Sequence, residues 1–171
     1  AAFLNNRSIL DNVLVTHELL NGYGRAHVSP RAMIKLDIRR AYDTVSWEAL
    51  TGIMGLMGFP CHFVSWIYTC ISTVSFSLCY NGGTVGYFRS QRGIRQGDPM
   101  SSYLFIIVME FFTQLINSQV RNNNFKLHPK CRNPLITSLL FADDVILFIK
   151  PTVSSMECVK GILHTFEKCT G

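Results

Sequence analysis

Two adjacent aspartates, Asp143 and Asp144, interrupt an apolar run from Leu139 to Ile149, Leu-Leu-Phe-Ala-Asp-Asp-Val-Ile-Leu-Phe-Ile. A run of this length, rich in Val, Ile, Leu and Phe, reads as buried strand. Burying an unpaired carboxylate is costly, and here there are two in a row. Like charges ~4 Å apart repel by about 1 kcal/mol in water and by about 4 kcal/mol at an effective dielectric near 20. A chain that keeps both needs positive charge beside them. Asp-Asp also favours a turn. The economical arrangement is a tight β-hairpin: strand to Ala142, turn at the aspartates, strand from Val145. It lifts both carboxylates to the tip, where hard divalent cations could sit. A plain turn between core strands, with solvated aspartates, is the alternative.

The remaining chain supplies elements to pack around that hairpin. Ser8 and Asp11 form a capping-box pattern for a helix to Leu20, with Ile9, Leu10, Val13 and Leu14 as its apolar face and Gly22 and Gly24 ending it. Strict alternation predicts a strand over Ala32–Ile38, with Ala32, Ile34, Leu36 and Ile38 on one face and Met33, Lys35 and Asp37 on the other. Ser46 opens a helix that Gly58-Phe59-Pro60 stops, and a second helix runs through Trp66 to about Ile71. Residues 74–80 alternate as a strand, Asn81-Gly82-Gly83 turns, and Val85 to Phe88 returns. Asp98 as N-cap and Pro99 at the first helical position open a helix to about Val120. It is apolar nearly all round, which predicts a central buried helix. A short strand near Phe125 to Leu127 lies within a loop, and Ser154-x-x-Glu157 caps a last helix. Hairpins interleaved with helices argue for an α+β fold, an antiparallel sheet with helices packed on one face.

Composition narrows the class. With 171 residues, 48% hydrophobic and 16% charged, the chain suits one globular domain. Sixteen Lys and Arg against eleven Asp and Glu leave a net charge of +5, which fits a polyanionic partner. The six cysteines include no Cys-x-x-Cys pair, so reduced thiols are expected. His128-x-x-Cys131 is half of a zinc pattern without an evident second half. The longest apolar run, Tyr103 to Met109, is far shorter than the ~20 residues of a membrane span, so no membrane partner is expected. The chain opens at Ala1-Ala2-Phe3 without Met and closes at Gly171 just after a helix-like segment, and it reads as a fragment of something longer.

Asp37 supplies a third acid. A strand at 32–38 beside the 139–149 hairpin would bring Asp37, Asp143 and Asp144 to one sheet edge. Three converging carboxylates suit two Mg²⁺ ions, which stabilise the attacking and leaving oxygens of an in-line phosphoryl displacement. A surface acid paired with Lys35 or Arg39 is the competing reading of Asp37.

Lys35-Leu36-Asp37-Ile38-Arg39-Arg40-Ala41-Tyr42-Asp43, Gly93-Ile94-Arg95-Gln96-Gly97-Asp98-Pro99 and Phe141-Ala142-Asp143-Asp144 resemble, in order and at the expected spacing, motifs A, B and C of reverse transcriptases. The connecting text, Ser46-Trp47, Gly58-Phe59-Pro60, Asn81-Gly82, Met109-Glu110 and His128-Pro129-Lys130-Cys131, looks like that of the non-LTR (LINE-type) retrotransposon enzymes of plants. The likeness covers nearly the whole chain.

The resemblance implies the palm of a right-hand polymerase with part of the fingers: residues 1–30 and 46–97 on the fingers side, 31–45 and 98–171 in the palm. It implies an RNA-directed DNA polymerase core that joins deoxynucleotides to a DNA primer on an RNA template. Asp37 and Asp143, with Asp144 beside them, would hold two Mg²⁺, with Mn²⁺ as a substitute. The Ile38 carbonyl would add an oxygen. Tyr42 would fill the space that a 2′-hydroxyl needs, with an ordinary core aromatic as its alternative, and Gln96 and Gly97 would line the nucleotide pocket. Arg39, Arg40, Arg89, Arg92 and Arg95 are candidate phosphate contacts, each equally readable as a solvated surface charge. Target-primed synthesis would place the work inside the cell, in the nucleus.

The chain departs from the pattern at Asn5-Asn6, where the group has Pro-Gly, and at Ser102, where it has Pro. The basic fingers segments ahead of Ala1, the motif D lysine, the primer grip and the thumb are not in this sequence. Weak activity or none is therefore expected of these residues alone. Two rivals are a group II intron-type maturase, whose connecting text differs, and a non-catalytic nucleic-acid-binding remnant of a decayed element.

Overall fold

A computed structural model describes residues 8–25, 27, 29–141 and 144–171. Asn5-Asn6, Ala142 and Asp143 lie outside the described residues. The elements run α1 (Ile9–Leu20), β1 (Ala32–Asp37), α2 (Trp47–Leu56), α3 (Cys61–Ser72), β2 (Ser75–Tyr80), β3 (Gly83–Arg89), α4 (Pro99–Arg121), a 3-10 turn (Pro129–Cys131), β4 (Ser138–Phe141), β5 (Asp144–Ile149) and α5 (Val153–Thr170). The chain divides into two compact units, Ala1–Arg39 with Met109–Glu167, and Arg40–Val108 with Lys168–Gly171.

The first unit is built on a three-stranded antiparallel sheet in the order β1-β5-β4. β1 alternates half-buried and exposed positions, with Met33, Lys35 and Asp37 outward as the alternation predicts. β5 is central, and Val145, Leu147, Phe148 and Ile149 are buried. Strand pairing ends at Phe141↔Asp144, so Asp144 belongs to β5. The sequence placed Asp144 in the turn, and the ladder extends through it instead. Leu127 bridges Ile149 and extends the sheet by a single pair, in place of the expected short strand.

Ser8 caps α1 as expected, its hydroxyl accepting the Leu10 N–H at 3.1 Å. The predicted apolar face is wrong. Leu10 and Leu14 are 69% and 66% exposed and Val13 is exposed too, while the Ile9 side chain lies outside the described residues. The helix instead turns Asn12, Val15, Thr16 and Leu19 inward. Two of these are polar, and both find partners. The Asn12 amide donates to the Leu140 carbonyl at 3.3 Å, and the Thr16 hydroxyl donates back to the Asn12 carbonyl at 2.8 Å. Leu19 packs with Cys131 and Phe148 in the core. The Lys130 ammonium bonds the Glu18 and Asn21 carbonyls, a cation at the carbonyl end of a helix.

α5 also differs from expectation in its cap. Thr152, not Ser154, caps it: the Ser155 N–H donates to Thr152 Oγ1 at 3.2 Å. The Ser155 side chain, fully buried, accepts the Lys126 N–H at 3.3 Å. That tie fixes the entry to the helix two residues before the expected box. Phe166 of α5 meets Phe112 edge-on, with centroids 5.1 Å apart.

In the second unit, Ser46 caps α2 through the Ala49 N–H, and Gly58, at φ +82, breaks the chain before α3. Leu50 and Met54 are fully buried. Asn81 and Gly82 both have positive φ, as a two-residue hairpin turn requires. β2 and β3 are exposed at nearly every position. Asp98 Oδ1 accepts the Met100 N–H at 2.8 Å, the predicted cap of α4.

α4 buries a stripe, with Leu104, Phe105 and Val108 in the second unit and Met109, Phe112 and Ile116 in the first. It is not buried all round: Tyr103 is exposed, and Glu110 and Gln114 hydrogen-bond each other on the outer side. By length and composition alone α4 is long and apolar enough to cross a membrane, which its short apolar run did not suggest.

Candidate active site

β1 and β5 end their ladder at Asp37↔Asp144. Directly opposed residues of an antiparallel pair share a face, with Cβ atoms about 5 Å apart. Two carboxylates thus face each other across neighbouring strands, Asp37 exposed and Asp144 half-buried. Like charges in that position destabilise a sheet. The Lys35 ammonium offsets this from the same face, 2.9 Å from Asp144 Oδ2. The competing reading paired Asp37 with Lys35 or Arg39, whereas Lys35 forms an ion pair with Asp144. Asp143, the third predicted acid, lies outside the described residues. Among the described residues no cluster of three metal-ligating side chains occurs. The donor chemistry nevertheless fits a hard divalent cation, since opposed, accessible carboxylates offer oxygen ligands and carry charge that favours one. Ile38 follows β1 directly, half-buried.

The other predicted residues belong to the second unit. Arg40 takes a positive φ of +53, and its carbonyl accepts the N–H groups of Asp43 and Thr44, forming a tight turn after β1. Tyr42, half-buried within that turn, stacks on Phe105 with centroids 4.9 Å apart and planes at 22°. The loop bearing Gln96 and Gly97 is laced to the same turn: the Ile94 N–H donates to the Tyr42 carbonyl and the Gly93 N–H to the Val45 carbonyl, both at 2.8 Å. Gln96 reaches Asp43 Oδ1 at 3.4 Å. Gly97, at φ +88, is exposed, with open space where a Cβ would stand. Beside this loop lies a cleft of about 480 Å³. Its lining includes Phe76, Phe88 and Ile94, with Arg92, Arg95 and Gln96 among its polar members.

The reverse transcriptase (RNA-dependent DNA polymerase) family matches residues 2–170. The chain belongs to the reverse transcriptase family. Relatives among retrotransposon proteins agree with the non-LTR resemblance. The Pol polyprotein of the type-1 retrotransposable element R2 of Popillia japonica is 32% identical over 115 residues, 67% of this chain and 18% of that protein. The 149 kDa protein of transposon TX1 of Xenopus laevis is 29% identical over 155 residues, 89% of this chain and 12% of that one. This reverse transcriptase chain thus spans under a fifth of these relatives. Telomerase from Candida tropicalis, solved with a fragment of telomeric RNA, matches 93% of the chain and 27% of its own, with TM-score 0.63 at 15% identity. That likeness is one of fold, and it agrees with the expected α+β polymerase palm.

Sequence reasoning missed Lys35 as the partner of Asp144, and Trp47 and Gly93 as the fastening between the Tyr42 turn and the Gln96 loop. Gly93 stood in the motif, but the acceptor and donor that use it are remote in sequence.

Proposed function

We propose that the chain is the core of an RNA-directed DNA polymerase acting in retrotransposition, in the nucleus. The observation that carries this reading is the opposition of Asp37 and Asp144 at the end of β1 and β5, in a chain of the reverse transcriptase family. The three-stranded sheet would be the palm, and α2, α3 and the β2–β3 hairpin the fingers side.

In the reaction, the 3′-hydroxyl oxygen of a DNA primer attacks the α-phosphorus of a deoxynucleoside triphosphate. A new P–O bond forms, the bond to the β-phosphate oxygen breaks, pyrophosphate leaves, and the hydroxyl proton passes to solvent. Asp37 and Asp143, with Asp144 beside them, would hold two Mg²⁺ ions, and the Ile38 carbonyl would supply a further oxygen. Bound there, the ions supply charge stabilisation for the entering and departing oxygens. The residues of this chain then orient the reactants. The Tyr42 ring would occupy the space of a 2′-hydroxyl. Gln96 and Gly97 would lie against the nucleotide, where the missing Cβ of glycine permits close backbone approach. Exposed Arg89, Arg92 and Arg95 suit the phosphates of an RNA template.

The test is Mg²⁺-dependent extension of a DNA primer on an RNA template by the reading frame that contains this chain. Asp37→Asn and Asp143→Ala are expected to abolish extension while leaving the melting temperature nearly unchanged. Undiminished extension by either variant would refute the assignment. Binding of the primer–template duplex without metal-linked binding of nucleotide would instead favour the non-catalytic remnant.

A further inference from the structure

Gly93 is fastened at three points, all within the second unit. Its N–H donates to the Val45 carbonyl at 2.8 Å. Its carbonyl accepts the Trp47 indole N–H at 2.7 Å. Its α-carbon lies so close to the turn that an added Cβ would stand 2.7 Å from the Asp43 carbonyl oxygen, at a φ of +87 that side chains rarely adopt. Ile94 adds the bond to the Tyr42 carbonyl, and Gln96 the long contact to Asp43. Trp47 itself is 7% exposed and meets Tyr68 edge-on at 6.4 Å. An indole N–H is a donor only, and a buried one needs an acceptor. The Gly93 carbonyl is the one it has.

We infer that Trp47 is a positioning residue for nucleotide selection: through the Gly93 carbonyl it locks the loop carrying Gln96 to the turn carrying Tyr42, so that both side chains present to the nucleotide as one rigid body. This rests on the polymerase reading. Trp47 touches no reactant in this scheme. Its effect passes through the backbone of Gly93 and Ile94, and Asp43 provides the second link through the Gln96 side chain. A loosened loop would let the Tyr42 turn and Gln96 shift independently, and the fit to the sugar would be the first property lost.

The experiment is Trp47→Phe, which keeps a buried ring against Tyr68 while removing the donor together with part of the indole volume. Primer extension is measured with deoxynucleotides and ribonucleotides, alongside a melting curve. The expected result is a KM for the deoxynucleotide raised roughly fivefold, the equilibrium equivalent of one hydrogen bond. Discrimination against the ribonucleotide should weaken with kcat little changed. A lowered melting temperature with KM and discrimination intact would mean that Trp47 is merely a core residue, and the inference would fall. Should Trp47→Phe not fold, Asp43→Ala, at an exposed position, cuts the other link and carries the same expectation. In a Gln96→Ala background Asp43→Ala should add nothing, whereas additive effects would show that Asp43 does not act through Gln96. Parent protein that extends no primer sinks the polymerase reading and this inference together. Parent that extends, with variants whose selectivity is unchanged, sinks the inference alone.

Discussion

His128 carries a role that its spacing to Cys131 did not suggest. Its ring is fully buried, stacked on Tyr23 at 5.8 Å and edge-on to Phe148 at 6.2 Å. Nδ1 accepts the Lys130 N–H at 3.1 Å and caps the 3-10 turn. That role requires a neutral ring. Burial lowers the pKa of His128 from its ordinary 6.5, and the nearby charges of Arg31 and Lys130 lower it further. Burial also pushes the Cys131 thiol up to about 11, so it stays protonated near neutral pH. The linkage has a definite sign. Between the lowered folded pKa and the unfolded value near 6.5, the unfolded chain binds a proton that the folded chain refuses, so stability falls as pH falls through that window. The urea midpoint should therefore decline on acidification below about 6.5. His128→Asn keeps an acceptor at the cap and removes the titration, so its midpoint, although lower, should be flatter over the same range. The Glu18 carboxylate, held below 4.5 chiefly by its hydrogen bond to Lys130, acts in a more acidic window and does not confuse the reading. Equal slopes in parent and variant would remove His128 as the cause.

At the level of elements, the cap of α5 and the inward face of α1 can each be tested against the alternative that local pattern favours. Thr152→Ala should cost about 1 kcal/mol, the usual worth of an N-cap oxygen, and Ser154→Ala close to nothing. Leu19→Ala should cost about 2–5 kcal/mol as a buried truncation, while Leu14→Ala, at a mostly exposed position, should fall within about 0.5 kcal/mol. Urea denaturation of the four variants decides both: a reversed first ranking would mean that Ser154 caps α5, and a reversed second that α1 sits on its other face. The contrast explains what could be read in advance. The Ser46 cap, the Asp98-Pro99 helix start, the Asn81-Gly82 turn and the phase of β1 all have their determinants within a few residues. The face of α1 does not: Asn12 points inward because the Leu140 carbonyl waits for it, and no periodicity of 9–20 contains that fact. Thr152 wins the cap because Ser155 is tied to Lys126 on another segment. The same division holds at the candidate site. Asp37 could be placed on the open face of its strand from alternation alone, whereas the fastening of Trp47 to Gly93 spans two loops whose adjacency only the folded chain creates.

For the whole molecule, the distribution of charge matters more than its sum. From Ala49 to Gly97 the sequence contains no Asp or Glu, and it carries Arg89, Arg92 and Arg95 in that stretch. All three are exposed, beside a two-stranded sheet that also exposes Tyr80, Phe88 and, at 84%, Tyr87. Two of them line the cleft beside the Gln96 loop. A surface of guanidinium groups and bare aromatic rings without acids suits a single strand, whose phosphates and bases it can meet together. Each phosphate neutralised on a single strand contributes about −0.7 to the slope of log affinity against log salt. If these arginines are the contacts, the variant R89Q/R92Q/R95Q should flatten that slope for an RNA oligonucleotide by about 2. The matching control, R121Q/K126Q/K160Q, removes the same net charge from exposed positions of the other unit and should leave the slope nearly as it was. Fluorescence anisotropy across a salt series measures both. Equal flattening by the two variants would mean that the RNA responds to the overall charge of +5, and that this surface has no special part in binding.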